Sequence, residues 1–249
     1  MTWFRRLLVT NLASSFALRT AFWLQAGLMA LNNLMFFCFW WVLFTRFESI
    51  RGWAVGDVAL LFGVAATGYG LCAVLLGGAQ DLARQIDDGE LDALLTTPKS
   101  VMLQALASRM RPDGFGDIVS GLALVAVSGA IDLRTIWLVP FAVIAAGTAL
   151  AASWTLMQSL AFWFGKTQTT RMLGEMTLTF SVYPPMLFGP TMKIVLFTII
   201  PAGFVSYLPV ALLREPSLAT FAGALGGAAL YAALAVWIFG RGLRRYASG

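Results

Sequence analysis

The chain has 249 residues, of which 59% are apolar and 12% charged, against roughly 25% charged residues in water-soluble domains. That balance excludes a disordered chain and an ordinary soluble enzyme, and the absence of His removes the commonest general base and metal ligand. The net charge of +5 carries no nucleic-acid signal by itself, because in a membrane protein the placement of Lys and Arg decides more than their sum.

Residues 1–20 predict an interfacial helix, with Trp3, Phe4, Leu7, Leu8, Leu12 and Phe16 toward lipid, Arg6 toward headgroups and Arg5 snorkelling. A cleaved secretory signal fits less well, since Thr10, Asn11, Ser14 and Ser15 break its apolar run. A spanning helix needs roughly 20 apolar residues. Runs at 22–44, 57–79, 116–131, 136–164, 176–198 and 218–240 therefore predict six transmembrane helices in a single all-α polytopic domain over 1–249. The runs are continuously apolar rather than alternating, which excludes a barrel. The third is the shortest, follows Arg111, Pro112, Asp113 and Gly114, and carries Asp117 in its first turn. Cys38 and Cys72 both lie inside apolar runs, as packed or lipid-facing thiols rather than a disulfide. The small residues Gly63, Gly70, Gly77 and Gly78, and the pair Gly223 and Gly227, suit close helix approach, either within the chain or at a subunit interface.

Alternate connections divide the basic residues unequally. Arg5, Arg6, Arg19, Arg84, Lys99, Arg109, Arg111, Lys166, Arg171, Arg241, Arg244 and Arg245 fall on one side, and Arg46, Arg51, Arg134, Lys193 and Arg214 on the other. The positive-inside rule then puts both termini and the 80–115 loop in the cytoplasm.

Three groups could carry chemistry. Gly165, Lys166 and Thr167 end like a phosphate loop, but the earlier Gly that loop requires is Leu160, so the chain has no visible nucleotide site. Asp81, Asp87, Asp88, Glu90 and Asp92, with Asp113 and Asp117, could hold Mg²⁺ for phosphatidyl transfer. The polytopic CDP-alcohol phosphotransferases place Asp-Gly ahead of Ala-Arg, whereas here Ala83 and Arg84 precede Asp88 and Gly89. The third group is the run from Gly89 to Pro98, a short helix between a Gly stop and a Pro stop. Leu91, Leu94 and Leu95 share one side of it, and Glu90 and Asp92 offer charge. Such a stripe either docks in a partner's groove or packs on the chain's own spans.

The run Gly89, Glu90, Leu91, Asp92, Ala93, Leu94, Leu95, Thr96, Thr97, Pro98 resembles the signature of permease subunits of type-2 ATP-binding cassette exporters. Lys99 stands where that family usually carries an apolar residue. Tyr183, Pro184, Phe188, Ile200, Pro201, Phe204, Tyr207 and Pro209 resemble the fifth-span region of its six-span branch. The resemblance implies a permease without catalysis of its own, paired with a second copy or a related permease in the bacterial inner membrane. Separate cytoplasmic ATPase subunits would bind ATP and Mg, leaving no cofactor on this chain. It also implies that Gly89, Glu90, Leu91, Asp92, Leu94, Leu95 and Pro98 couple the ATPase to the spans. The expected substrate is hydrophobic or amphipathic. A secondary transporter or a metal-dependent phosphatidyl transferase are the alternatives.

Pro184, Pro185, Pro190, Pro201 and Pro209 each remove a helical N–H, so residues 176–214 predict a broken fifth span with an outer re-entrant region. Lys193 there either marks a substrate path or snorkels at the interface. Tyr183, Pro184, Lys193, Pro201, Tyr207 and Pro209 are the candidates for path or gating.

Overall fold

The computed structural model describes residues 2–165 and 167–247, so Lys166 lies outside the described residues. Among these there is no strand, only an isolated bridge between Ile50 and Trp53. Helices α1 (Thr2–Ala17), α2 (Arg19–Phe44) and α3 (Val55–Leu76) are followed by short α4 (Leu82–Asp87), α5 (Leu91–Leu95) and α6 (Val101–Leu106). Then come α7 (Asp113–Val127), α8 (Val139–Ser159), α9 (Ala161–Phe164), α10 (Thr167–Ser181), α11 (Pro190–Thr198), α12 (Leu208–Arg214) and α13 (Leu218–Ala247).

Helix α3 is the buried axis, because its small residues let neighbours reach its backbone. A Cβ on Gly70 would lie 2.4 Å from the Gly114 carbonyl oxygen, and one on Gly63 would lie 2.7 Å from that of Gly121. These contacts seat α7 along α3, and Gly77 and Gly78 extend the seam to Arg109 and Ala105. Gly227 meets the Phe204 ring inside the chain as well. Both sets of glycines thus serve internal packing. By contrast α2 presents Trp23, Leu24, Leu31, Met35 and Phe39 outward, as a lipid-facing helix does.

Beyond Leu76 the chain tightens into a 3₁₀ turn at Gly77–Asp81 before α4. Two buried glutamines satisfy the backbone groups this turn frees. Gln158 accepts from the Ala83 N–H at 2.9 Å and donates to the Gln80 carbonyl at 2.5 Å. Gln85 donates to the Gly78 carbonyl at 3.0 Å. Helix α4 stops at Gly89, whose φ of 73° is costly for any other residue. The Glu90 N–H bonds the Gln85 carbonyl and the Gly89 N–H that of Ile86, the paired bonds of a Schellman stop.

Among the described residues, length and hydropathy single out four helices able to cross, or five with one bent pair, a criterion that does not by itself decide the six-span arrangement. Arg19–Phe44, Val55–Asp87, Ile136–Phe164 and Leu218–Ala247 are each long and apolar enough to cross. Pro190–Thr198 with Gly203–Arg214, bent by 86°, makes a fifth only if the pair counts as one span. The third run, expected at 116–131, is the 15-residue α7, which at ~1.5 Å per residue is shorter than a ~30 Å hydrocarbon core. The fifth run, expected at 176–198, is not one helix: α10 ends at Ser181 and α11 starts at Pro190. Pro184 and Pro185 remove the donors that would have joined them.

In the N-terminal helix Phe16 stacks on Phe22 at 4.1 Å, and Lys99 Nζ sits 5.5 Å from the Trp3 ring centre. Asn11 donates to the Ala107 carbonyl at 2.7 Å, fastening α1 to the segment after α6.

Candidate functional site

Helix α5 is short, and its two flanks fix how it sits. Leu91 is fully buried in the core, Leu94 is half-buried against it, and Leu95 is 39% exposed. The leucine stripe therefore divides: Leu91 anchors inward, while Leu95 faces out beside the exposed Asp92, Ala93 and Pro98. Glu90 at the N-terminus pairs with Arg109 Nη2 at 3.2 Å, and Arg109 Nη1 reaches Asp81 at 3.5 Å. The Tyr246 hydroxyl donates to Asp92 Oδ1 at 2.7 Å. After the helix, Gln104 donates to the Thr97 hydroxyl at 2.9 Å, closing the turn that carries Pro98. Gly89, Glu90, Leu91, Asp92, Leu94, Leu95 and Pro98 thus form one braced unit tied to the 3₁₀ turn, α6 and α13.

The carboxylates of this end do not converge on a common point. Asp81 and Glu90 face Arg109, Asp113 faces Arg111 at 3.1 Å, and Asp117 accepts from Asn33 at 2.7 Å. Among the described residues no group of three or more His, Cys, Asp or Glu side chains could hold one metal ion.

The second set lies around the break after α10. The Tyr207 hydroxyl is 3.1 Å from the Tyr183 carbonyl and 3.2 Å from that of Phe180, carbonyls left without helical partners where α10 ends. Tyr207 closes a π-helical turn, Gly203–Tyr207, between the buried Pro201 and Pro209. From the other flank Arg51 donates to the Met186 carbonyl at 2.9 Å. The Tyr183 ring turns inward, edge-on to Phe36 at 5.9 Å and to Trp40 at 6.4 Å. Tyr183, Pro184, Pro201, Tyr207 and Pro209 are brought together. Lys193 is not: it is exposed on α11 and absent from the lining of the cavity that Tyr183 borders.

Sequence reasoning missed the pairing of Asn33 with Asp117, both buried between α2 and α7. The signal was present in two polar side chains within apolar runs, since such residues persist at membrane depth only with a partner or a role. It also missed Tyr246, whose reach to Asp92 spans 154 positions.

No curated protein and no solved structure matches the chain significantly. The family described as ABC-2 family transporter protein matches residues 30–249, a region that includes α5, the broken segment and every helix from α3 to α13. The chain is a multi-pass membrane protein and belongs to the ABC-2 transporter family.

Proposed function

We propose that the chain is the permease subunit of an ATP-driven exporter in a bacterial cytoplasmic membrane, moving a hydrophobic or amphipathic substrate. Separate ATPase subunits bind ATP and Mg and dock on α5 from the cytoplasm, where both termini also lie. A second permease copy or a related permease completes the path. The observation that carries this reading is the division of the α5 leucines. Leu91 roots the helix, the Glu90 and Asp92 contacts brace its N-terminal end, and Leu95 with Ala93 and Pro98 is left facing outward.

A helix held this way moves as a body when the groove that grips it moves. Displacement passes to α13 through Tyr246 and to the 3₁₀ turn below α3 through Arg109 and Asp81. Both elements run on into the membrane, so ATPase closure at one end shifts spans at the other.

The test is to extract the protein from its native membrane in mild detergent and compare ATP hydrolysis before and after stripping partners. A stoichiometric ATPase subunit that leaves with the activity supports the reading. Hydrolysis or lipid transfer by the stripped chain alone defeats it.

A further inference from the structure

Between α2, α3, α7 and α10 lies a cavity of about 270 Å³. Its wall is aromatic: Phe36 and Phe62 stack at 4.9 Å, and Tyr183 stands edge-on to Phe36. Its polar lining includes Asn33, midway along the 26-residue α2, and Asp117. Both side chains are buried, at 3% and 2% exposure. The Asn33 amide donates to Asp117 Oδ1 at 2.7 Å and to the Ser120 hydroxyl at 2.9 Å, so both its N–H groups are used. Asp117 Oδ2 is buried and accepts from no donor among the described residues. No Lys or Arg lines the cavity, and the nearby Arg111 is paired with Asp113 at 3.1 Å.

A buried acceptor without a donor carries a desolvation cost that a bound donor removes. A carboxylate among aromatic faces favours one donor above others, a protonated amine, because the rings also attract a cation. The cavity is at the small end for ligand sites and suits a head group with one ring rather than a whole lipid. A second cavity, about 620 Å³, shares Met29 and Asn32 with the first and reaches Arg111 and Asp113 at the start of α7.

We infer that Asp117 and Asn33 form a polar subsite for the ammonium group of a cationic amphiphile, whose apolar part rests on Phe36, Phe62 and Tyr183. Its role as a substrate site rests on the reading of the chain as an exporter permease; binding itself does not.

The experiment uses the full chain in phosphatidylcholine nanodiscs, titrated with the fluorescent primary amine dansylcadaverine and with its neutral N-acetyl derivative. The amine binds saturably to the wild type, and Asp117→Asn or acetylation weakens binding by about tenfold or more. Equal affinity for both probes, or full binding by Asp117→Asn, overturns the inference. Where Asp117→Asn fails to insert, Ala66→Leu narrows the cavity without touching the carboxylate; loss of binding supports the site and retained binding overturns it. Because the titration needs no ATPase, its failure is distinct from a failure to recruit one.

Discussion

Tyr246, the penultimate residue of the last helix, donates its hydroxyl to Asp92 Oδ1 on α5 at 2.7 Å. The bond joins the proposed docking helix to a span that begins at the opposite end of the bundle. A hydrogen bond to a carboxylate is stronger than a neutral one, though exposure of Asp92 to solvent weakens it. Tyr246→Phe should leave insertion intact and loosen α5, raising amide exchange over residues 91–97 by roughly fivefold, about 1 kcal/mol of local opening. Unchanged exchange would show that the bond does not restrain the helix.

Close packing of α3 on α7 makes a sharper contrast. Gly70→Ala places a methyl 2.4 Å from the Gly114 carbonyl oxygen, where backbone must move, whereas a Cβ on Gly226 meets nothing within 4 Å. Gly70→Ala should destabilise the solubilised protein by about 1–3 kcal/mol and Gly226→Ala should be close to neutral, as read from thermal unfolding. Equal Tm values for the two variants would contradict the packing described here.

At the end opposite α5, Arg214 Nε meets Asp57 Oδ1 at 3.1 Å and its guanidinium lies 4.9 Å from the Trp53 ring centre. Asp57 also accepts from the Ala54 N–H at 2.9 Å, opening α3. A double-mutant cycle with Asp57→Asn and Arg214→Gln should return a coupling of about 0.5–1 kcal/mol that shrinks as salt is raised. A coupling near zero at low salt would leave the pair without a stabilising role.

The two ends should also differ in accessibility. In a chain with Cys38→Ser and Cys72→Ala, Arg134→Cys should react with an impermeant maleimide on intact cells and Thr96→Cys only after lysis. Arg134 sits in an exposed turn where Asp132 accepts from the Thr135 hydroxyl at 2.8 Å, from the Thr135 N–H and from the Arg134 N–H. Those bonds hold the Asp132 carboxyl below its ordinary pKa, so the turn stays ordered at labelling pH. The reverse labelling pattern would invert the proposed topology.

Much of the architecture was legible because composition alone enforces it. Continuous apolar runs become α2, α8 and α13, since unpaired backbone in lipid is too costly for anything but helix. The prolines of 184–209 announced a broken segment, and Gly89 announced the stop before α5. What the sequence did not carry was which residues meet. Periodicity placed Leu91, Leu94 and Leu95 on one side but could not tell that Leu91 packs inward and Leu95 faces out, because that depends on where α3 and α6 leave room. Asn33 with Asp117, Arg51 with the Met186 carbonyl and Tyr246 with Asp92 are likewise products of packing between distant segments. Lys193, a charge near a span, is not among the residues that line the cavity bordered by Tyr183, because α11 carries it to an exposed position.

The most direct test of the proposed coupling is the capture of the ATPase subunit by Leu95→Glu beside Leu91→Ala. Leu95 is exposed, so a carboxylate there should leave thermal stability unchanged and cut ATPase capture by about tenfold. Leu91 is fully buried, so its truncation should instead cost about 2–5 kcal/mol of stability and lower capture only as far as the fold is lost. Full ATPase capture by a stable Leu95→Glu protein would contradict α5 as the docking element.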